Sequence, residues 1–285
     1  MKKNPIKILF NPVSGNGAGK KLLRVASLYT IAPTDPENIN EQLLNFLAPE
    51  DHLIIAGGDG TFHQVINGLY ETQLYKIVTV SFLPLGTGND LAKSLKIKNR
   101  GLDYLIKNAH KKIKFPLWKF NDQIFINYLS LGIDAKCLDD FTRWRTYIPN
   151  NRWVNFIFYG VAGIKNMLYR KKIIELKLQE NLVIKKKVYS IIFSNIRYYG
   201  GGCPLIIEKN SKIPTLGLII VETYWQWLML MLSHFTHKPT KTKNIATPCF
   251  LKNNENYLQM DGEMSTIKNG TIDFAGYLTI LLDDE

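Results

Sequence analysis

Asp59 stands in the run Gly57-Gly58-Asp59-Gly60-Thr61, a carboxylate enclosed by glycines. Glycine lets the backbone approach a phosphate closely, and the helical pattern that opens after Thr61 aims unpaired N–H groups and the positive end of a helix dipole at such an anion. Gly57, Gly58, Gly60 and Thr61 are therefore candidate phosphate ligands. A carboxylate beside phosphates is unfavourable unless it binds a metal, a ribose hydroxyl or a proton in transit, which makes Asp59 a candidate for chemistry. Two further glycine runs accompany it, Asn11-Pro12-Val13-Ser14-Gly15-Asn16-Gly17 and Gly86-Thr87-Gly88-Asn89-Asp90. A Walker loop ending at Gly19-Lys20 would need Gly in place of Ser14 and Ser or Thr in place of Lys21. The dinucleotide pattern G-x-G-x-x-G fails as well, because Lys20 and Leu91 stand where its third glycine belongs. For any one loop, a turn that merely joins a strand to a helix is the plain alternative. Three such loops in one chain favour phosphate binding.

The elements that must position these loops are legible around them. KILF (7–10), HLIIA (52–56) and IVTVSFLPL (77–85) are short apolar runs closed by glycine segments, the pattern of buried parallel strands. KKLLRVASL, FHQVINGLYETQ and LAKSLK follow them with helical character. Strand, glycine turn and helix, repeated three times, predict an α/β fold with an N-terminal doubly wound, Rossmann-like sheet, whose ligands bind outside the carboxyl ends of the strands. After Asn108 the texture changes to strand-like runs joined by turns, and a mostly antiparallel, β-sandwich-like domain is expected. Two helical interruptions fall at 139–169 and 226–235. The expected division is residues 1–115 for a nucleotide-binding catalytic domain and 116–285 for a β-rich accessory, lipid-substrate domain.

Composition bounds the function classes. The chain has 285 residues, 46% hydrophobic and 21% charged, which suits a folded protein and excludes disordered, collagen-like and disulfide-held classes. The opening segment lacks the apolar run of a signal peptide, and no stretch approaches the roughly 18 apolar residues that span a bilayer. Cys137, Cys203 and Cys249 are far apart and outside metal spacing, so a reducing, cytoplasmic setting is expected. The net charge of +12 is regional: between Arg143 and Lys187 eleven Lys/Arg face only Glu175 and Glu180, a net +9. A solvated face is the bland reading; anionic lipid, nucleic acid and a phosphorylated ligand are the functional ones. No nucleic-acid-binding signature accompanies the charge.

Taken in order, Asn11-Pro12-x-Ser14-Gly15, Gly57-Gly58-Asp59-Gly60-Thr61 and Leu83-Pro84-Leu85-Gly86-Thr87-Gly88-Asn89-Asp90-Leu91-Ala92 resemble the diacylglycerol kinase catalytic domain, of the lipid kinase group that shares its fold with NAD kinases. Asn127 to Ala135, continuing through Phe141, Arg145, Pro149, Asn155 and Tyr159, is similar to the accessory region of that family. Tyr199-Gly200-Gly201-Gly202-x-Pro204 and Asp261-Gly262-Glu263 resemble its later landmarks. The resemblance covers about residues 6 to 280. It implies ATP with magnesium as phosphoryl donor. It further implies nucleotide contacts from Asn11, Pro12, Ser14, Gly15, Gly57, Gly58, Gly60, Thr61, Gly86, Thr87, Gly88 and Asn89, and diacylglycerol as acceptor. Asp59 and Glu263 are then alternative bases for the lipid hydroxyl, and Asp90 is the nearest further acid. Sphingosine, NAD, or a non-catalytic binding role on the same fold remain open alternatives.

Leu216 stands where bacterial relatives usually carry an aspartate that holds a structural magnesium, and leucine offers no oxygen donor. The protein's own metal ligands are therefore left unassigned. The interval between the first two loops is compressed, which removes the basis for a contact from Thr34. His234 and His237 form an HxxH without a third ligand nearby, so a packing role is expected. The run Trp225 to Leu232 is continuous rather than striped and reads as a buried helix, with an interfacial segment that reaches membrane lipid as its competitor. The basic, aromatic region 141–170 suits an anionic headgroup surface in the same way. A peripheral association with an anionic membrane is expected, and a homodimer is compatible with the sequence.

Overall fold

The apolar runs that end in glycine are neighbouring parallel strands. The computed structural model describes residues 5–25, 27–144, 147, 152–178, 182–208, 214–253, 257–265 and 269–283. The chain forms two compact units, Met1–Leu117 with Ala275–Glu285, and Trp118–Phe274.

In the first unit the order is β1 (Ile6–Phe10), α1 (Ser14–Gly17), β2 (Thr30–Pro33), α2 (Ile39–Phe46), β3 (His52–Gly57), α3 (Asp59–Glu71), β4 (Thr79–Pro84), α4 (Asp90–Ser94), α5 (Leu102–Asn108) and β5 (Ala109–Phe120), which runs on into the second unit. β1 pairs in parallel with both β2 and β3, and β3 with β4, giving the order β2-β1-β3-β4. The chain leaves β1 toward β2 on one side and returns to β3 on the other, so the topological switch point lies between β1 and β3. All six residues of β3 are buried, as expected of an apolar run covered on both faces. Ile8, Phe10, Ile54, Ala56 and Leu83 form one core with Leu102 and Leu105 of α5.

Two local expectations are corrected. KKLLRVASL does not form an α-helix: a 3-10 helix covers Ala18–Val25 after the single turn of α1. Gly15 and Gly17 stand at positive φ, which interrupts an α-helical path. The strand β2 and helix α2 lack a strong apolar run that would mark them in the sequence; only Leu43 of α2 is buried.

The second unit continues with β6 (Gln123–Phe125), β7 (Tyr128–Gly132), α6 (Ile133–Trp144), α7 (Arg152–Lys165), β8 (Lys172–Lys177), β9 (Val183–Val188), β10 (Ser190–Ser194), β11 (Tyr198–Tyr199), β12 (Cys203–Ile206), β13 (Leu216–Val221), α8 (Tyr224–Thr236), β14 (Thr240–Lys241), β15 (Lys243–Ile245), β16 (Cys249–Asn253), β17 (Leu258–Met260) and β18 (Glu263–Ser265). Antiparallel pairing gives the sheet β15-β13-β10-β7-β17-β18. Its inner strands β13, β10, β7 and β17 are buried on both faces, apart from the half-buried Ile220, and their side chains alternate. Leu129, Leu131, Ile191, Phe193, Leu216 and Leu218 enter a core shared with Ile174 and Leu176 of β8 and Cys249 and Leu251 of β16. Ile192, Ile219 and Val221 enter a second core under α7 and α8, with Ala162, Trp227, Leu230 and Met231. The result is the expected β-sandwich, with helices over the outer face of one sheet.

The last strand, β19 (Gly270–Asp283), starts in the second unit beside β16 and ends in the first, where Ile280 pairs in parallel with Val80 of β4. No helix among the described residues is long and apolar enough to cross a membrane.

Candidate functional site

The three glycine loops meet at the carboxyl ends of β1, β3 and β4, and glycine is required there by how closely they approach. A Cβ on Gly86 would lie 2.5 Å from the Cα of Gly58, and one on Gly15 would lie 2.6 Å from the carbonyl oxygen of Leu85. Backbone therefore meets backbone across the loops, and no side chain fits between them. The Leu85 N–H donates to the Gly57 carbonyl at 2.7 Å. The Asn11 side-chain amide donates to the Thr61 hydroxyl at 3.0 Å, and its carbonyl accepts the Val13 N–H at 3.0 Å. Thr61 is buried, so its hydroxyl ties the first loop to the second, while Gly15, Gly60 and Thr87 are exposed. Pro12 and Ser14 are half-buried in the first loop, and Thr34 is buried beyond β2, with its N–H on the Phe10 carbonyl.

The helix in the second loop begins three residues earlier than the sequence pattern suggests. α3 starts at Asp59 with Gly58 as its N-cap residue, which puts Asp59, Gly60 and Thr61 in the first turn, where N–H groups lack intrahelical partners. That turn suits an anion. Asp59 itself reaches to the third loop: one carboxylate oxygen accepts the Asp90 N–H at 3.0 Å and the other the Leu91 N–H at 3.3 Å. A Cβ on Gly88 would stand 3.2 Å from the same carboxylate. Asp59 thus caps α4, whose own preceding residue, Asn89, is left-handed and offers no cap.

Asn89 donates to the Gly86 carbonyl at 2.5 Å, and its Oδ1 is a buried acceptor without a partner among the described residues. Asp90 is buried and lies 3.4 Å from Lys93. Among the described residues no group of three or more His, Cys, Asp or Glu side chains is arranged to hold a metal ion. The carboxylates of Asp59 and Asp90 and the buried amide oxygen of Asn89 are nevertheless hard oxygen donors, of the kind magnesium takes.

Glu263 belongs to the second unit. It is exposed at the start of β18, directly after a two-residue hairpin turn at Asp261 and Gly262, both at positive φ. Asp-Gly is the sequence signal of such a turn. The buried Asp261 carboxylate accepts the N–H groups of Ile126, Asn127 and Tyr128 at 2.7, 2.7 and 2.9 Å, fixing the turn to the start of β7. The Gly262 N–H donates to Gln259, whose amide donates to Ser130 at 2.6 Å. Ser130 lies 3.4 Å from the Tyr199 hydroxyl, which donates to Asp134.

Asp134 is fully buried and also accepts the Ser190 hydroxyl. Burial pushes its carboxyl above the usual range, against the hydroxyls of Ser130, Ser190 and Tyr199, which pull it down. A chain of hydrogen bonds therefore links the Asp134 and Tyr199 of two separate sequence motifs to the turn that carries Glu263. No local pattern announces it, because its members are far apart in sequence.

The smaller signals sort differently. Leu216 is fully buried in the sandwich core, an apolar position. His234 and His237 do not share a helix face: His234 is in α8, and His237 ends that helix in a left-handed conformation. Arg145 and Pro149, and the side chains of Arg152, Trp153 and Asn155, lie outside the described residues.

A doubly wound parallel sheet followed by a β-sandwich defines the fold class. A crystal structure described as a diacylglycerol kinase from Bacillus anthracis str. Sterne superposes with a TM-score of 0.70 at 18% identity, covering 100% of this chain and 99% of that one. The family profile for the diacylglycerol kinase catalytic domain matches residues 5–115, and that for the diacylglycerol kinase accessory domain matches residues 124–264. The chain belongs to the diacylglycerol kinase family. It is 28% identical over 202 residues to diacylglycerol kinase iota of Homo sapiens, covering 58% of this chain and 19% of that protein. The Mus musculus protein of the same name is 27% identical over the same length and coverage. The chain thus spans about a fifth of the length of these relatives.

Proposed function

We propose that the protein is an ATP-dependent lipid kinase that phosphorylates the hydroxyl of diacylglycerol to give phosphatidic acid. The observation that carries this is the convergence of three glycine loops at one switch point, in a chain matched by both family profiles. Residues 1–115 would bind the nucleotide, and 116–285 would take the lipid. The phosphates would rest on the first turn of α3 and on the backbone of Asn11 to Gly15 and Gly86 to Asn89. Asp59 and Asp90 with Asn89 would hold magnesium, which when bound neutralises charge on the β- and γ-phosphates.

Both oxygens of Asp59 are engaged by backbone N–H groups, which favours a positioning role for it over proton transfer. Glu263, exposed beside a turn that Asp261 and Gly262 anchor by hydrogen bonds, is the better acceptor. The lipid hydroxyl would pass its proton to Glu263 as its oxygen bonds to the γ-phosphorus. The bond from that phosphorus to the β,γ-bridging oxygen would break, and ADP would leave. The enzyme would work as a cytoplasmic protein that associates peripherally with an anionic membrane.

The test is radiolabelled ATP and magnesium with micelles of diacylglycerol or of sphingosine, or with NAD in solution. Labelled phosphatidic acid supports the reading. Label only in sphingosine phosphate or NADP moves the acceptor, and vesicle binding without any labelled product leaves a binding protein.

A further inference from the structure

α7 and α8 are apolar on two faces, and among the described residues only one of them packs into a core. On α7, Ala162 and Gly163 turn inward; a Cβ on Gly163 would lie 2.4 Å from the Trp227 ring, so α7 and α8 pack in direct contact. The Tyr224 hydroxyl donates to the Gly163 carbonyl at 3.2 Å. On α8, Trp227, Leu230 and Met231 are buried in the same core. The opposite faces are also apolar. Ile157, Val161 and Ile164 recur at four and three residues along α7, and Met167 and Leu168 extend that side into the following turn. Trp225, Met229 and Leu232 repeat the spacing on α8. Ile164 is 71% exposed, Leu168 90% and Trp225 69%. At 100° per residue each stripe lies opposite the buried residues of its helix. Both helices cover one core, so both stripes face away from it. The sequence expectation of a buried helix at Trp225 to Leu232 is therefore half right: opposite faces of the first turn bury Trp227 and expose Trp225.

Basic residues rim these stripes. Arg170 and Lys171 follow Leu168 after Tyr169, and Lys171 stands over the Tyr189 ring, which meets Tyr224 at the start of α8. Arg143, at the end of α6, is 69% exposed but is paired with Asp139 at 3.0 Å, so the rim rests on Arg170 and Lys171. The rim belongs to the segment of net +9.

We propose that the outer faces of α7 and α8 are a docking surface that inserts into the interfacial layer of an anionic bilayer. Leucine, isoleucine and methionine would enter the acyl boundary, Trp225 the headgroup level, and the Arg and Lys rim would meet lipid phosphates. Charge decides between this occupant and a second copy of the chain. A two-fold contact would set one strongly basic rim against another, whereas an anionic membrane complements it. The proposal rests on the lipid-acceptor reading for its purpose, but not for its test.

Wild type, Trp225→Ser and the double variant Ile164→Ser/Leu168→Ser are sedimented with vesicles of phosphatidylcholine alone or mixed equally with phosphatidylglycerol. The same proteins are assayed with dispersed short-chain diacylglycerol and with long-chain diacylglycerol in vesicles. Because the changed residues are exposed, thermal midpoints stay at the wild-type value. Partition onto mixed vesicles falls at least about tenfold in both variants, and about 0.5 M salt weakens wild-type binding without abolishing it. Turnover of the dispersed substrate is unchanged, and that of the vesicle substrate drops. Variants that partition like wild type overturn the surface. So does a wild-type dimer that the substitutions split while vesicle binding persists. Vesicle binding that the variants lose, with no phosphorylation of either acceptor by wild type, keeps the surface and removes the kinase reading instead.

Discussion

The carboxylate of Asp59 caps the helix that begins at Asp90, accepting its first N–H at 3.0 Å. The acid of the second glycine loop thereby fixes the start of the third. Replacing it with alanine removes an N-terminal cap, worth about 1 kcal/mol, whereas asparagine keeps an acceptor in place. Asp59→Ala is expected to lower stability in urea melts by about that amount and to raise the KM for ATP. Asp59→Asn is expected to melt within a few tenths of wild type and to retain the acid limb of the pH profile. An alanine variant with wild-type stability would show that the cap is unimportant.

Glu263 separates from Asp59 on kinetics. Its removal as Glu263→Gln is expected to lower kcat by about 10²–10⁴ with little change in the KM for ATP, the range for losing a general base. The urea midpoint should not move, because the side chain is exposed. Loss of the acid limb of kcat against pH would mark it as the proton acceptor. A variant that keeps that limb and most of its turnover would return the role to Asp59.

His52 makes the first unit acid-sensitive. Burial lowers its pKa from 6.5 to about 4, and its Nε2 lies 2.9 Å from the Ser81 hydroxyl, which donates to Leu281 at 3.0 Å. The unfolded chain takes up a proton near pH 6.5 that the folded chain resists. The stability from a neutral His52 is therefore full above pH 6.5 and lost as pH falls toward 4, by about 3 kcal/mol over that window. His52→Gln is expected to flatten this part of the stability curve, measured by denaturant melts at pH 4.5 and 7. An unchanged slope would move the cause to other groups.

Asp134 has the opposite sign. Its folded carboxyl is raised by burial, so its contribution is full below the ordinary carboxylate range and declines as pH rises through the raised value. Asp134→Ala removes the acceptor of the Tyr199 hydroxyl and leaves Ser190 only the Leu131 carbonyl at 3.0 Å, and is expected to cost about 1–3 kcal/mol. Asp134→Asn keeps an acceptor and should cost less, with a weaker pH dependence of melting. If the hydrogen-bonded chain to Gly262 positions Glu263, the alanine variant also lowers kcat more than it raises the KM for ATP. Equal effects on both would mean a purely structural role.

Much of this was legible along the chain. The strands at Ile6–Phe10, His52–Gly57 and Thr79–Pro84 follow from apolar runs closed by glycine, because a strand covered on both faces has no polar positions to disguise it. The edge strand at Thr30–Pro33 was missed because it is half solvated and has no such run. The segment after Gly19 was read as an α-helix because its amphipathic spacing carries no mark of the two positive-φ glycines before it.

The sequence by itself determined the residue types and order of the glycine loops, and hence the phosphate chemistry and the family resemblance. It also determined the alternation that makes a sandwich of the second half. Tertiary structure alone decided what each acid does. Asp59 meets Asp90 across 31 residues and Asp261 meets Asn127 across 134, while Glu263, two residues beyond Asp261, is exposed. It also decided which face of α8 is covered, because that helix is apolar nearly all round and its sequence does not say which side meets the core. Local periodicity records the face an element buries, but a carboxylate's partner and a helix's neighbour are set by contacts that form only when distant segments are brought together.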